Sequence, residues 1–260
     1  MAHIPRHDEI LKSISRLRNI SVQDLTERTG VSEVTIRKDL TILEEMGLVV
    51  RTHGGAQLAE DISSRSDLES RRADHVSEKK QIAALAARLI SDGDTIYLDS
   101  GSTCALLAEQ LVGMSLRVVT NSIAVMNALA RAHGVSLFSI GGSYRREAGS
   151  FLGPLALENI KGFQIETCFV GATGISGRGV FSSQNILESQ IKSEILSKSR
   201  RRIVLADTSK FSANAFSVFA RVGDVDVIVA EHDFAEATNL RELGFEVLLA
   251  DQASPARPAS

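Results

Sequence analysis

The chain has 260 residues, 43% of them hydrophobic and 23% charged, which is enough material for two domains with ordinary cores. A net charge of −3 excludes nucleic-acid binding through bulk positive charge, and Cys104 and Cys168 are too few and too far apart for a disulfide framework or a zinc site. They are expected to be buried reduced thiols. The opening MAHIPRHDEI lacks the apolar core of a signal peptide, and no apolar run approaches the roughly 18 residues of a membrane helix, so a cytoplasmic protein without a membrane partner is expected.

His7 to Arg18 carries Ile10, Ile14 and Leu17 on one side, which predicts a first helix. Ser21 stands before the next apolar-periodic run with Asp24 three residues on, a capping box with Asp in place of Glu or Gln, so a second helix should run to about Thr29 and stop at Gly30. Ser32 then caps a third helix, in which Ile36, Leu40 and Leu43 recur at the spacing of one buried face. That arrangement turns Val34, Lys38, Thr41 and Glu45 outward, with Thr35 and Arg37 on the flanks. An outward face of this kind is what a recognition helix lays in a major groove, its first turn from Ser32 and Glu33 nearest the base edges. Gly47 should end the helix, Leu48 to Arg51 reads as a short strand, and His53-Gly54-Gly55 reads as a flexible wing tip suited to a phosphate backbone. The whole is a winged helix-turn-helix over residues 1–57.

Between Met1 and Glu60 there are eight Lys or Arg against nine Asp or Glu, so DNA affinity must come from local placement of Arg37, Lys38 and Arg51 and from two copies acting together. The run Thr35-Ile36-Arg37-Lys38-Asp39-Leu40, then Leu43-Glu44, then Arg51-Thr52-His53-Gly54-Gly55-Ala56 resembles the N-terminal signature of the DeoR family of bacterial transcriptional regulators. The resemblance extends through most of the chain.

Residues 58–76 are Ser-, Arg- and Asp-rich without periodicity and read as a linker. Residues 77–251 alternate between helix and strand patterns: Ile82, Leu85, Ala86 and Leu89 mark a helix, followed by a strand at Thr95 to Leu98, a helix at Cys104 to Leu111, a strand at Leu116 to Thr120, a helix at Ser122 to Ala132 and a strand at Val135 to Ile140. Further strands are expected near Thr167 to Val170, Arg202 to Ala206, Val225 to Ala230 and Glu246 to Leu249, with helices near Ile186 to Ser199 and Phe234 to Leu243. The fold class is α/β, a mostly parallel sheet covered by helices. Residues 252–260 are expected to be a disordered tail.

In such sheets ligands bind at the carboxyl ends of strands. Four of these ends are unusual here: Asp99-Ser100-Gly101-Ser102-Thr103, Thr120-Asn121-Ser122, Gly141-Gly142, and Asp207-Thr208-Ser209-Lys210. The first, a small Gly-containing loop before a helix, suits an anion such as phosphate. Asp99 and Ser100 would serve equally as helix caps, Asn121 as a turn support, and Asp207 with Lys210 as an ordinary ion pair, but all four segments point to one rim. They also resemble the effector domain of the DeoR family, which is similar to ribose-5-phosphate isomerase and holds a sugar phosphate with such segments. The resemblance further implies Glu188 and Lys192 as pocket residues, and Ser102 departs from the usual Thr while keeping a hydroxyl.

The expected function is a sequence-specific repressor of a carbohydrate operon, binding double-stranded operator DNA as a dimer or tetramer and released by a phosphorylated sugar, with no metal and no cofactor. The competing reading is a sugar-phosphate isomerase with a helical appendage, using Asp207 or Glu188 with Lys210. The Gly-rich catalytic loop typical of those isomerases is absent from the sequence, which favours binding without turnover.

Overall fold

In the computed structural model, which describes residues 5–17, 19–45, 49–52, 54–58, 74–211 and 213–250, the chain divides into two compact units, Met1–Arg71 and Arg72–Ser260. Gly47, Leu48, His53, most of the expected linker and the tail at 252–260 lie outside the described residues, as does the side chain of Leu17. Among the described residues no helix is long and apolar enough to cross a membrane.

Among the described residues the first unit has three helices, α1 (Pro5–Leu17), α2 (Val22–Thr29) and α3 (Glu33–Glu45), and three strands, β1 (Asn19–Ser21), β2 (Val49–Thr52) and β3 (Gly55–Leu58). Ile10 and Ile14 from α1, Leu25 from α2, and Ile36, Leu40 and Leu43 from α3 close a core with Ile20, Val22, Val49 and Ala56. The cap on α2 forms as the sequence predicts: Ser21 Oγ accepts the Asp24 N–H at 3.0 Å, Asp24 Oδ2 accepts from the Ser21 backbone and hydroxyl, and Gly30 closes the helix at φ +70°. Beside the expected strand, here β2, the ribbon holds β1 and β3, paired in the order β1-β3-β2. That pairing corrects the reading of Gly55 as part of a flexible tip. Gly55 is buried in β3, where a Cβ would lie 2.2 Å from the Ile20 carbonyl oxygen, while Gly54 sits exposed at the turn with φ +82° and its carbonyl accepts the Val22 N–H at 2.8 Å.

The second unit is built on a seven-stranded parallel sheet. Its strands are β4 (Thr95–Leu98), β5 (Leu116–Thr120), β6 (Val135–Ser139), β9 (Ile165–Gly171), β12 (Ser199–Leu205), β14 (Val227–Ala230) and β15 (Glu246–Leu249), in the order β15-β14-β12-β9-β4-β5-β6. Helices α4 (Val76–Ala87), α5 (Ser102–Gln110) and α6 (Ile123–Leu129) cover one face, packing on Ile96, Leu98, Val118, Phe169, Ile203, Leu205, Val227 and Val229. Helices α7 (Pro154–Ile160), α8 (Ile186–Lys198) and α9 (Ala237–Glu242) cover the other, packing on Tyr97, Val119, Cys168, Val170, Val204 and Ile228. Successive strand residues thus feed opposite cores, which is why these strands read as continuous apolar runs.

Two small additions escaped the sequence pattern. A hairpin joins β7 (Ser143–Arg145) to β8 (Ser150–Leu152), and an antiparallel sheet pairs β10 (Gly174–Ile175), β11 (Phe181–Ser183) and β13 (Ser217–Ala220).

Candidate functional site

In the first unit the outward face of α3 meets β2. Val34, Arg37, Lys38, Thr41, Ile42 and Arg51 line an open concavity of about 500 Å³. Val34 is 65% exposed on this face. Ser32 Oγ lies 3.0 Å from Thr35 Oγ1, Arg37 pairs with Glu33 at 3.3 Å, Thr41 Oγ1 donates to the Arg37 carbonyl at 2.9 Å, and the Arg51 guanidinium donates to Thr41 Oγ1 at 3.3 Å. Lys38 is exposed and makes no hydrogen bond or ion pair with any described residue. Every described candidate DNA contact, Ser32, Glu33, Val34, Thr35, Arg37, Lys38, Thr41 and Arg51, therefore lies on α3, at its cap or on the adjoining strand, while His53 is outside the described residues.

The inner flank of α3 carries a contact the sequence did not announce. Asp39 is buried, and Arg6 of α1 grips it with Nε at 2.6 Å from Oδ2 and a second nitrogen at 3.0 Å from Oδ1, with His7 Nε2 at 3.1 Å. Burial pushes the Asp39 carboxyl up, but the hydrogen bonds from Arg6 and His7 outweigh it and hold the group below the ordinary carboxylate range. This clamp sets α3 against α1.

In the second unit the connections run from β4 to β5 and β6 on one side and from β9 to β12 and β14 on the other, so the chain reverses direction between β4 and β9. Such a switch point opens a crevice at the carboxyl ends of the strands. Asp99 follows β4 at this point. It is 1% exposed, its Oδ2 accepts the Gly171 N–H at 3.1 Å, and Lys192 Nζ of α8 stands 3.0 Å away. The same ammonium donates to the Gly171 carbonyl and lies 5.2 Å from the Phe219 ring centroid. Beside them α5 begins at Gly101, which offers no side chain to cap the helix, and a Cβ on Gly101 would make an ordinary 3.9 Å contact with the Gly171 Cα. Ser100, Ser102 and Thr103 complete the loop.

The other candidates fall on the same edge in different roles. Thr120 Oγ1 donates to the Leu98 carbonyl at 2.6 Å and accepts the Ser122 N–H at 3.0 Å, which ties β5 to β4. Asn121 is 1% exposed with Oδ1 unpartnered among the described residues. Gly141 and Gly142 have φ of +64° and +110°, yet the group nearest Gly142 is the Leu152 carbonyl, 2.6 Å from where a Cβ would be. Its small size therefore seats the β8 strand. Glu188 is half-buried on the first turn of α8, one turn before Lys192. Asp207 is buried, accepts from the Ser209 N–H at 3.2 Å and lies 3.8 Å from Lys210, two strands from β4.

Two further residues join this edge without a motif of their own: Gly171, which closes the apolar strand β9, and Glu231, a buried carboxylate at the end of β14 that accepts the Thr208 N–H at 3.0 Å and its hydroxyl at 2.7 Å. Both cysteines are free and buried, as expected, and burial pushes the Cys168 thiol up to about 11.

A winged helix-turn-helix followed by a parallel α/β unit with a topological switch point is the architecture of a DNA-binding transcriptional regulator with a sensor domain. Residues 6–61 match the DeoR-like helix-turn-helix domain and residues 74–232 the DeoR C terminal sensor domain, so the chain belongs to the DeoR family. It is 34% identical over 229 residues to the transcriptional repressor AccR of Agrobacterium fabrum, covering 86% of this chain and 89% of that one. It is 32% identical over 232 residues to the glycerol-3-phosphate regulon repressor of Escherichia coli, covering 89% and 92%. A solved ribose 5-phosphate isomerase A from Methanocaldococcus jannaschii aligns at 18% identity and a TM-score of 0.39, covering 51% of this chain and 53% of that one.

Proposed function

We propose that the protein is a repressor of a carbohydrate operon that reads its operator with α3 and lets go when a phosphorylated sugar enters the β4–β9 crevice. One observation carries the effector half. At the switch point α5 starts at Gly101 without a side-chain cap, next to Ser100, Ser102 and Thr103, and such a helix start offers backbone N–H groups and the positive end of a helix dipole to an anion. That is phosphate chemistry. Lys210 adds a cationic group farther along the edge, while Lys192 is already held by Asp99.

We read the unit as a sensor without turnover. Asp207, one of the two carboxylates that could serve as base, is buried and engaged by Ser209, and the Gly-rich catalytic loop typical of sugar-phosphate isomerases is absent from the sequence. The balance of charge in the first unit supports action as a dimer or tetramer, in which two copies of α3 meet two half-sites a fixed distance apart. The test is a thermal-shift screen of sugars and their phosphates, read as ligand-linked stabilisation, with product analysis of the same mixtures. Equal stabilisation by a sugar and its phosphate overturns the effector reading, and accumulation of an isomerised product overturns the sensor reading.

A further inference from the structure

Four buried polar groups have no hydrogen-bond partner among the described residues: the Tyr97 hydroxyl, Asn121 Oδ1, Ser150 Oγ and Ser183 Oγ. Their residues are 0%, 1%, 0% and 0% exposed. Each such group costs about 1 to 3 kcal/mol when left unmade, and native interiors keep few of them.

Strand register and backbone hydrogen bonds relate the strands that carry these four to the Asp99–Lys192 pair. Tyr97 and Asp99 are two residues apart and so share the α8 face of β4, where Asp99 meets Lys192. Tyr97 is opposite Val119 and Leu98 opposite Thr120 in the β4–β5 ladder, so Asn121 comes directly after β5 as Asp99 comes directly after β4. Ser150 is bridged to Ser122, and the neighbouring Phe151 N–H donates to the Asn121 carbonyl at 2.8 Å. Ser183 ends β11, next to Ser182, whose carbonyl accepts the Thr173 N–H at 2.9 Å just beyond Gly171. Four elements, β4, β5, β8 and β11, thus each bring one neutral polar group to the surroundings of the Asp99–Lys192 pair.

We propose that these four groups read the hydroxyls of the ligand, so that the crevice takes a phosphorylated, polyhydroxylated carbon chain with its phosphate at α5 and its hydroxyls on Tyr97, Asn121, Ser150 and Ser183. This rests on the phosphate reading given above. The chemistry is selective: a ligand hydroxyl both donates and accepts and so satisfies a phenol, an amide oxygen or a serine, whereas a second anion finds no uncommitted cation there, because Lys192 is neutralised by Asp99. All four atoms are sealed from solvent, so the crevice parts as the chain enters. A ligand lacking a hydroxyl leaves one of these groups unpaired and is rejected.

The test uses the full-length protein and the variants Tyr97→Phe, Ser150→Ala and Ser183→Ala, with inorganic phosphate, ribitol 5-phosphate and sorbitol 6-phosphate as probes. Removing an unpaired buried polar atom relieves a cost, so each variant should raise the Tm of the unliganded protein by roughly 2 °C. Each should also weaken the better-bound polyol phosphate about tenfold in calorimetry and leave inorganic phosphate unaffected. A purely structural role predicts a lower Tm instead. Unchanged polyol-phosphate affinity in all three variants, or equal loss for inorganic phosphate, overturns the inference while the phosphate reading stands. If no phosphorylated probe binds the unmodified protein, the phosphate reading falls and this inference with it.

Discussion

Lys192 reaches from α8 to place its ammonium 3.0 Å from Asp99 Oδ2, and the same carboxylate oxygen accepts the Gly171 N–H at 3.1 Å. One buried ion pair therefore joins a helix to the ends of two strands at the point where the sheet reverses. Breaking such a pair from one side strands a charge, so Lys192→Met should destabilise the protein by about 3 to 5 kcal/mol in urea unfolding. Adding Asp99→Asn should recover part of that loss, because the stranded charge is gone. A cost below about 1 kcal/mol for the single variant would mean the pair is not a closed buried contact.

On the DNA side, Lys38 has no described partner, whereas Arg37 is shared with Glu33 at 3.3 Å. Lys38→Ala and Arg37→Ala should each weaken operator binding by about 1 to 3 kcal/mol where the side chain reads a base. A side chain that meets only phosphate should instead lower affinity for all sequences alike and reduce the salt slope by about 1. Unchanged operator affinity in both variants would remove α3 as the reader.

The wing supplies a steric test. A Cβ at Gly55 would sit 2.2 Å from the Ile20 carbonyl oxygen, while at Gly54 nothing lies within 4 Å and the obstacle is the backbone at φ +82°. Gly54→Ala should cost about 1 to 2 kcal/mol from its left-handed backbone alone. Gly55→Ala must push β1 off β3 and should cost more and lower operator affinity with it. Urea titration of both variants beside an operator titration decides, and equal cost would refute the close approach.

What was legible in the sequence follows from how far each signal reaches. The Ser21–Asp24 box, the Gly30 stop and the Ile36, Leu40 and Leu43 stripe are contained in one helical segment, and each formed as read. The parallel strands also announced themselves, since burial on both faces makes them uninterrupted apolar runs. Strands of two or three residues, such as β1, β7, β8 and β10, are too short to carry a period, and Gly55 looked flexible because Ile20 comes beside it only after β1 pairs. Asp39 is harder still. Its spacing from Ile36 and Leu43 puts it beside the buried stripe, but only the fold brings Arg6 and His7 to it. The crevice loop at Asp99 to Thr103 was visible as a motif, but its anchor Lys192 entered by resemblance, because the contact depends on where α8 lies.

The Asp39 clamp predicts a pH dependence of known sign. A carboxyl held below its ordinary value in the folded state contributes stability that is fully present above the unfolded pKa, about 3.9, and is lost as pH falls through the lower folded value. The stability difference between the wild-type protein and Asp39→Asn should therefore be constant from neutral pH down to about 4 and shrink below it. Urea midpoints across that range measure it, and a difference that vanished between pH 6 and 7 would contradict the assignment.

The last prediction joins effector and operator. If a phosphorylated sugar releases the protein from DNA, the two sites share a coupling free energy that is reciprocal and typically about 1 to 3 kcal/mol. Lys210 is 26% exposed on the crevice edge beside Asp207, so it is available to a ligand and its loss strands less than the loss of Lys192 would. Lys210→Ala should keep operator affinity, bind the phosphorylated effector more weakly and require more of it for release. Lys38→Ala should lose operator affinity and keep effector affinity. Measured together by operator titration with and without saturating effector, the two variants separate the halves of the cycle. If Lys210→Ala abolished operator binding while remaining folded, or if saturating effector left the unmodified protein equally tight on its operator, the release mechanism would be wrong even though each site bound its own ligand.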